Sequence, residues 1–332
     1  MAPVVLITGS STGVGAACVA RLAAGGWTVL AGVRRMEDGE ALEGRIKGDV
    51  RPLLLDVTDP AAIDRARETV REVCGSRGLR GLVNNAGVPL SGPFELVSME
   101  QWREHLEVNL LGAVAVTRAM FEHVRAGRGR FVFVGSQAGR IALPGTSAYS
   151  AGKHGLEAIT EALHHELAAT AMRVALIEPG HVDTPLFSKA GDDLTRLADQ
   201  LEHVDRMEYR HLVPATRAYI RAGHKLGMNP ERVARLVEHA LSAARPRRRY
   251  LVGFDARLLG GVVARLPDPL RDRTVAAILR SYVWAGRRMA PPATTPTLPG
   301  RITSESSPNQ SCAPRASQRS ADCGHEGGGP HA

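Results

Sequence analysis

Val4-Val5-Leu6-Ile7-Thr8-Gly9-Ser10-Ser11-Thr12-Gly13-Val14-Gly15 is the stretch from which the fold is read. Four apolar residues in succession, closed by a glycine, are too few for a helix and suit a strand buried on both faces. A helical pattern begins near Val14, so the glycines lie between a strand and a helix N-terminus. Main-chain amides exposed there form a site for phosphate, and glycines let the backbone approach it. Glycines after a strand can also be only a tight turn. The spacing is T-G-x-x-x-G-x-G rather than the G-x-G-x-x-G of the general dinucleotide fingerprint.

Working outward, the same compact apolar form recurs at Thr28–Val33, Leu53–Leu55, Gly81–Val83, Phe131–Val134, Val174–Ile177 and Tyr250–Val252. Between these runs lie helical stretches with start signals: Asp59-Pro60 before a helix towards Cys74, and Ser98 with Gln101 at capping-box spacing before a helix through Trp102. The alternation predicts an α/β fold, a doubly wound parallel sheet, as a single domain over 1–285. Residues 185–228 lack strand signals and are read as a helical lid, with Asn229-Pro230-Glu231 capping another helix. The Pro/Ser/Gly-rich stretch 286–332 is read as a disordered tail.

Composition narrows the class further. No run of about 18 apolar residues is present, so no spanning helix is expected. The opening MAPVVLITG reads as a strand rather than a secretory signal. Four cysteines without ligand or CxxC spacing point to a reducing, cytoplasmic setting. The formal charge of +8 comes from scattered arginines, and the one dense cluster, Arg245 with Arg247 to Arg249, is read as a solvated turn rather than a nucleic-acid surface.

The second strand bears on the cofactor. An acid that would hold a ribose 2′-hydroxyl is expected about 20 residues after the glycine loop. Here the strand ends Val33-Arg34-Arg35, and the first acids, Glu37 and Asp38, come later. Arginines there suit a 2′-phosphate, with Ser11 and Thr12 as further donors, so NADP(H) is favoured over NAD(H). The bland alternative is that both are loop cations.

Tyr149 and Lys153 are four residues apart on one helix face. A phenol with pKa near 10 is a poor base at neutral pH, and a nearby ammonium is expected to lower it by roughly 1–3 units. Alone, such a pair is usually a surface feature. Ser136 follows the strand Phe131–Val134, Asn84-Asn85-Ala86-Gly87 follows Gly81–Val83, and Asn109 stands in a helix beside Gly112, where an amide needs a task.

Together these elements resemble the short-chain dehydrogenase/reductase family over about residues 3–255: TGSSTGVG at 8–15, Asp56, NNAG at 84–87, Asn109, Ser136, YSAGK at 149–153, and Pro179-Gly180 followed by Thr184. The texture is most similar to the 17-beta-hydroxysteroid and retinol dehydrogenase branch. The resemblance implies an NAD(P)-dependent oxidoreductase acting on an alcohol or carbonyl. Tyr149 would exchange the proton with the substrate oxygen, Lys153 would lower the tyrosine pKa and hold the nicotinamide ribose, and Ser136 would bond the substrate oxygen. Asn109 would hold a relay water. Gly9, Ser11, Thr12, Gly13, Val14, Gly15, Arg34, Asp56, Val57, Asn85, Ala86, Gly87, Pro179, Gly180, Val182 and Thr184 would line the cofactor site.

The resemblance also implies a small-molecule alcohol or carbonyl substrate and a homo-oligomer, dimer or tetramer, and the apolar residues within 185–228 suit a lipophilic substrate. His181 is read equally as a cofactor contact or an ordinary loop histidine. Leu258–Leu266 and Val275–Trp284 are expected to pack on the sheet or hinge the lid, with peripheral membrane contact as a second option. The competing function is a dinucleotide-binding regulator without turnover.

Overall fold

The computed structural model describes residues 2–185 and 227–288. Seven parallel strands form one sheet: β1 (Val4–Ile7), β2 (Thr28–Val33), β3 (Asp49–Leu54), β4 (Gly81–Asn84), β5 (Arg130–Val134), β6 (Arg173–Pro179) and β7 (Arg249–Val252), in the order β3-β2-β1-β4-β5-β6-β7. The order reverses between β1 and β4, which leaves a crevice at the carboxyl ends of those strands, the place where ligands of such sheets bind.

Strand periodicity sorts the core into two layers. On one face Val5, Ile7, Val29, Ala31, Val132 and Ile177 pack against α1 (Gly13–Ala24) and α7 (Glu231–Ser242). On the other, Leu6, Leu30, Leu82, Phe131, Phe133 and Leu176 meet α3 (Pro60–Cys74), α5 (Gly112–Ala126) and α6 (Ser147–Glu166). Two shorter helices, α2 (Met36–Glu43) and α4 (Met99–Leu106), precede β3 and α5. The expected caps are formed: Asp59 accepts from the Ala61 amide at 2.9 Å, and Ser98 with Gln101 closes a capping box. Asn229 likewise accepts from the Glu231 amide at 2.9 Å.

Three expectations need correction. β3 begins at Asp49, four residues before the apolar run Leu53–Leu55. It is an edge strand whose outer positions are Asp49, Arg51 and Leu54, so its first half carries no apolar signal, and Pro52 is tolerated there. Arg248 and Arg249 are not a freely solvated turn. Arg249 lies on β7 and is paired with both Glu157 and Glu178, and Arg248 with Glu161 at 3.3 Å. Glu178 is fully buried, and burial beside a second carboxylate drives its pKa up, which is why an arginine is held there. Finally, the helix from Ser98 is not uniform: a π-turn over Glu107–Leu111 joins α4 to α5 and contains Asn109.

After β7, a π-helix at Ala256–Val262 and a 3-10 turn at Val263–Arg265 lead to α8 (Asp268–Arg288). Leu259 and Val263 bury against Ile141, while Leu258 and Val262 stay exposed. Among the described residues no helix is long and apolar enough to cross a membrane. The expected lid at 185–228 falls almost wholly outside the described residues, as does the tail beyond Arg288. The two flanks of 186–226 meet, since Val182 bridges Met228 and the Asp183 amide donates to the Met228 carbonyl at 3.0 Å.

Candidate active site

One cavity of about 1470 Å3 runs along the carboxyl ends of the strands. It contains every site residue expected from the sequence except Gly15, which is buried behind the wall. Its size exceeds the usual range of roughly 300–1,000 Å3 for a single small ligand, so a dinucleotide and a second molecule fit together.

At the β1–α1 end the lining is mainly backbone. Gly13 has φ +57, a left-handed conformation that favours glycine, and a Cβ on Gly15 would overlap the Gly9 carbonyl oxygen. Thr12 at the N-cap of α1 makes no side-chain cap, which leaves the first amides of the helix to a ligand. The loop is held from β4. Asn85 Nδ2 donates to the Thr8 and Gly9 carbonyls at 3.0 and 2.9 Å, and Thr8 Oγ1 accepts from the Asn85 and Ala86 amides, both at 3.0 Å. Asp56 Oδ1 accepts from the Thr58 amide and hydroxyl at 2.9 and 2.8 Å, which shapes the turn after β3.

Arg34 and Arg35 both line this end. They are not equivalent. Arg35 is bound to Asp38 through two contacts, at 2.8 and 3.2 Å, whereas Arg34 makes no ion pair among the described residues. Arg34 is exposed at the cavity edge. The glycine cradle, the uncapped helix and Arg34 fit a phosphorylated dinucleotide.

At the other end side chains converge. Tyr149 and Lys153 come from the first turns of α6, and Ser136 from the end of β5. Lys153 is buried and its Nζ donates to the Val134 carbonyl at 3.0 Å. Burial lowers its pKa to about 8. Tyr149 departs from expectation. Its pKa is raised by burial, and the hydrogen-bonded Ser136 hydroxyl pulls the other way without reversing the shift. Lys153 Nζ lies 5.8 Å from the centre of the phenol ring and donates to the Val134 carbonyl.

Asn109 is placed by the π-turn, a feature that often marks functional sites. Its amide is fully engaged. Oδ1 accepts from the Val88 amide at 3.2 Å, and Nδ2 faces the Val88 carbonyl at 3.1 Å, the His105 carbonyl at 3.0 Å and His105 Nδ1 at 3.1 Å. The side chain thus clips the loop after β4 to the helix.

Two residues at the cavity, one in its wall and one behind it, carried no site reading from the sequence. His105 is buried, one helical turn before Asn109, and its ring centre lies 5.8 Å from that of Tyr149. The i, i+4 spacing of two polar residues on an otherwise amphipathic helix was the available signal. The other is Asp255, just outside the lining, which accepts from the His181 amide at 2.7 Å and from His181 Nδ1 at 2.6 Å. These bonds hold the Asp255 pKa low against the opposing effect of burial. His181 itself lines the cavity.

Comparison with known proteins agrees with this geometry. The short chain dehydrogenase family model matches residues 3–195. Retinol dehydrogenase 16 of Mus musculus is 37% identical over 275 residues, covering 81% of this chain and 86% of its own length. The 17-beta-hydroxysteroid dehydrogenase type 6 of Bos taurus is 34% identical over 278 residues, covering 81% and 86%. Among solved structures, a short-chain dehydrogenase from Streptomyces avermitilis superposes with a TM-score of 0.67 at 27% identity, over 87% of this chain and 99% of that one. With a switch-point crevice, a glycine cradle and this kinship in hand, the chain belongs to the short-chain dehydrogenase family, in its retinol and hydroxysteroid dehydrogenase-like branch, as an NAD(P)-binding oxidoreductase acting on CH–OH groups.

Proposed function

We propose that this oxidoreductase uses NADP(H) in preference to NAD(H) to interconvert a lipophilic secondary alcohol and its carbonyl, with Asn109, Ser136, Tyr149 and Lys153 as the catalytic group. The observation that carries the reading is the meeting of Ser136, Tyr149 and Lys153 in the same cavity as the glycine cradle. When bound, the nicotinamide supplies or accepts the hydride. Everything else is work for the protein. The Tyr149 hydroxyl gives its proton to the carbonyl oxygen in reduction, and its raised pKa keeps that proton in place at neutral pH. Ser136 donates to the same oxygen as charge develops on it. Lys153 spends one donor on Val134 and has two others for the nicotinamide ribose and the phenol.

Asn109 keeps the Val88 loop against the helix. The remaining lining residues take the rest of the dinucleotide. Ser11 to Val14 would hold the pyrophosphate, Arg34 the 2′-phosphate, and Asp56, Val57 and Asn85 to Gly87 the adenosine. Pro179, Gly180, Val182 and Thr184 would hold the nicotinamide. The lipophilic substrate is supported by the far wall, where Leu90, Ile141, Leu143, Pro144, Leu259, Ile278 and Leu279 meet, and by the names of the mammalian relatives.

Paired fluorescence titrations with NADPH and NADH, followed by turnover against small ketones, retinal and ketosteroids, test the reading. NADPH should bind more tightly, and one apolar carbonyl class should be reduced. Equal affinity for the two dinucleotides would overturn the cofactor preference, and reduction confined to small polar ketones would overturn the substrate class.

A further inference from the structure

Among the described residues, His105 is the one buried titratable group beside the Tyr149–Lys153 pair to which the reading above gives no task. Its surroundings decide its chemistry. The Val88 amide can only donate, so the Asn109 oxygen must face it, and Nδ2 must therefore face His105. An amide NH2 group only donates, so its 3.1 Å contact with His105 Nδ1 is a hydrogen bond when Nδ1 is the acceptor, which places the imidazole proton on Nε2. That atom is buried and has no hydrogen-bond partner among the described residues. It abuts α6 at Gly152, where a Cβ would come within 3.7 Å of it.

We propose that His105 is a positioning residue for the Tyr149–Lys153 pair, held neutral and protonated on Nε2 by the Asn109 amide. It acts in two ways. Its ring backs the Tyr149 ring at 5.8 Å, and its Nδ1 completes the set of acceptors that keeps the Asn109 amide turned towards Val88. A charged ring would undo both, since Nδ1–H would oppose the Asn109 NH2 group and a second cation would stand near Lys153. The groups shown to face it are Tyr149 and Lys153 on α6 and Asn109 on its own helix. Burial and the Lys153 charge push its pKa down to about 4, in keeping with a ring that stays neutral.

The inference rests on Tyr149 and Lys153 being the proton-handling pair, and its first test needs no turnover. With 15N-histidine-labelled full-length protein, the imidazole 1H–15N correlations are followed from about pH 6 to about pH 9, with His105 assigned by the signal lost in His105→Gln. One neutral ring with its proton on Nε2, unchanged across the range, is expected. A proton on Nδ1, or titration near the ordinary value of 6.5, overturns the proposal.

The second test is kinetic. His105→Phe keeps a ring and removes the acceptor, and should lower kcat by roughly tenfold or more while the KM values stay within about threefold. It should also displace the alkaline limb of the kcat profile, and His105→Gln, with an acceptor and no charge, should recover much of the loss. Undiminished kcat in His105→Phe, or equal loss in kcat and in NADPH affinity, overturns the positioning role. If His105→Phe does not fold, the labelled wild-type chain decides. A locked Nε2 tautomer in a protein whose Tyr149→Phe variant still turns over would leave the histidine assignment standing and fault only the catalytic one.

Discussion

At the glycine-loop end of the cavity the groups that meet a ligand belong mainly to the main chain, and they are pinned by Thr8 and Asn85 within a few residues of β1 and β4. At the tyrosine end they are side chains from the β4–α4 loop, the π-turn, β5 and α6. The first end is local and preformed, so it binds whether or not the chemistry works. The second is an assembly in which each group is held by another: Lys153 by Val134, Asn109 by Val88, and His105 by Asn109. The difference separates binding from proton transfer, and variants can pull the two apart.

Tyr149→Phe should make the largest difference. It removes the proposed proton donor and nothing at the glycine end, so kcat should fall by about 10²–10⁴ while NADPH binds unchanged. Stopped-flow turnover beside fluorescence titration checks both halves, and surviving turnover would break the comparison at its root.

Next comes an effect of pH on stability. His105 has a folded pKa of about 4 against an ordinary 6.5, so the unfolded chain takes up the proton more readily. The stabilisation it allows is present above about pH 6.5 and is lost as pH falls towards 4. Between pH 7 and pH 5 the loss is about 2 kcal/mol. Denaturant midpoints of wild type and His105→Gln at the two pH values should show a shallower acid slope in the variant. Equal slopes would mean that the ring is already charged or is not buried in solution.

Arg34→Ala should weaken NADPH by roughly tenfold, the scale of one charge-assisted contact, and leave NADH nearly unchanged. Equal loss for both would sharpen the comparison differently, by making Arg34 a general feature of the pocket rather than a reader of the 2′-phosphate. Smallest of all, Arg35→Ala should change either dinucleotide by less than about twofold, because that guanidinium is already satisfied by an exposed partner, Asp38. A loss as large as that of Arg34→Ala would show that Asp38 releases it on binding.

The fold was legible where hydrophobic periodicity and caps are local. β1, β2, β5, α3 and α7 follow directly from such signals. β3 was placed late because an edge strand alternates charged with apolar residues, and the lone buried Val50 before Pro52 does not make a run. In the site, the glycine loop, Tyr149, Lys153 and Ser136 could be picked out by spacing. The direction of the Tyr149 pKa could not, since an i, i+4 pair carries no information about burial or about the Val134 carbonyl that engages the lysine. Nor could spacing show that Asp38 occupies Arg35 or that Glu178 lies buried against Arg249.

The sequence by itself determined the strand and helix alternation, the doubly wound class and the chemical groups that would face a ligand at the strand ends. Those depend on residue type and on separations of a few positions. The tertiary structure decided which partner each group has already taken: Arg35 paired with Asp38, Asn109 bonded to Val88 and His105, and Tyr149 buried so that its pKa is raised. Protonation and hydrogen bonding are set by atoms within a few ångströms, and in a doubly wound sheet those atoms come from segments far apart in the chain.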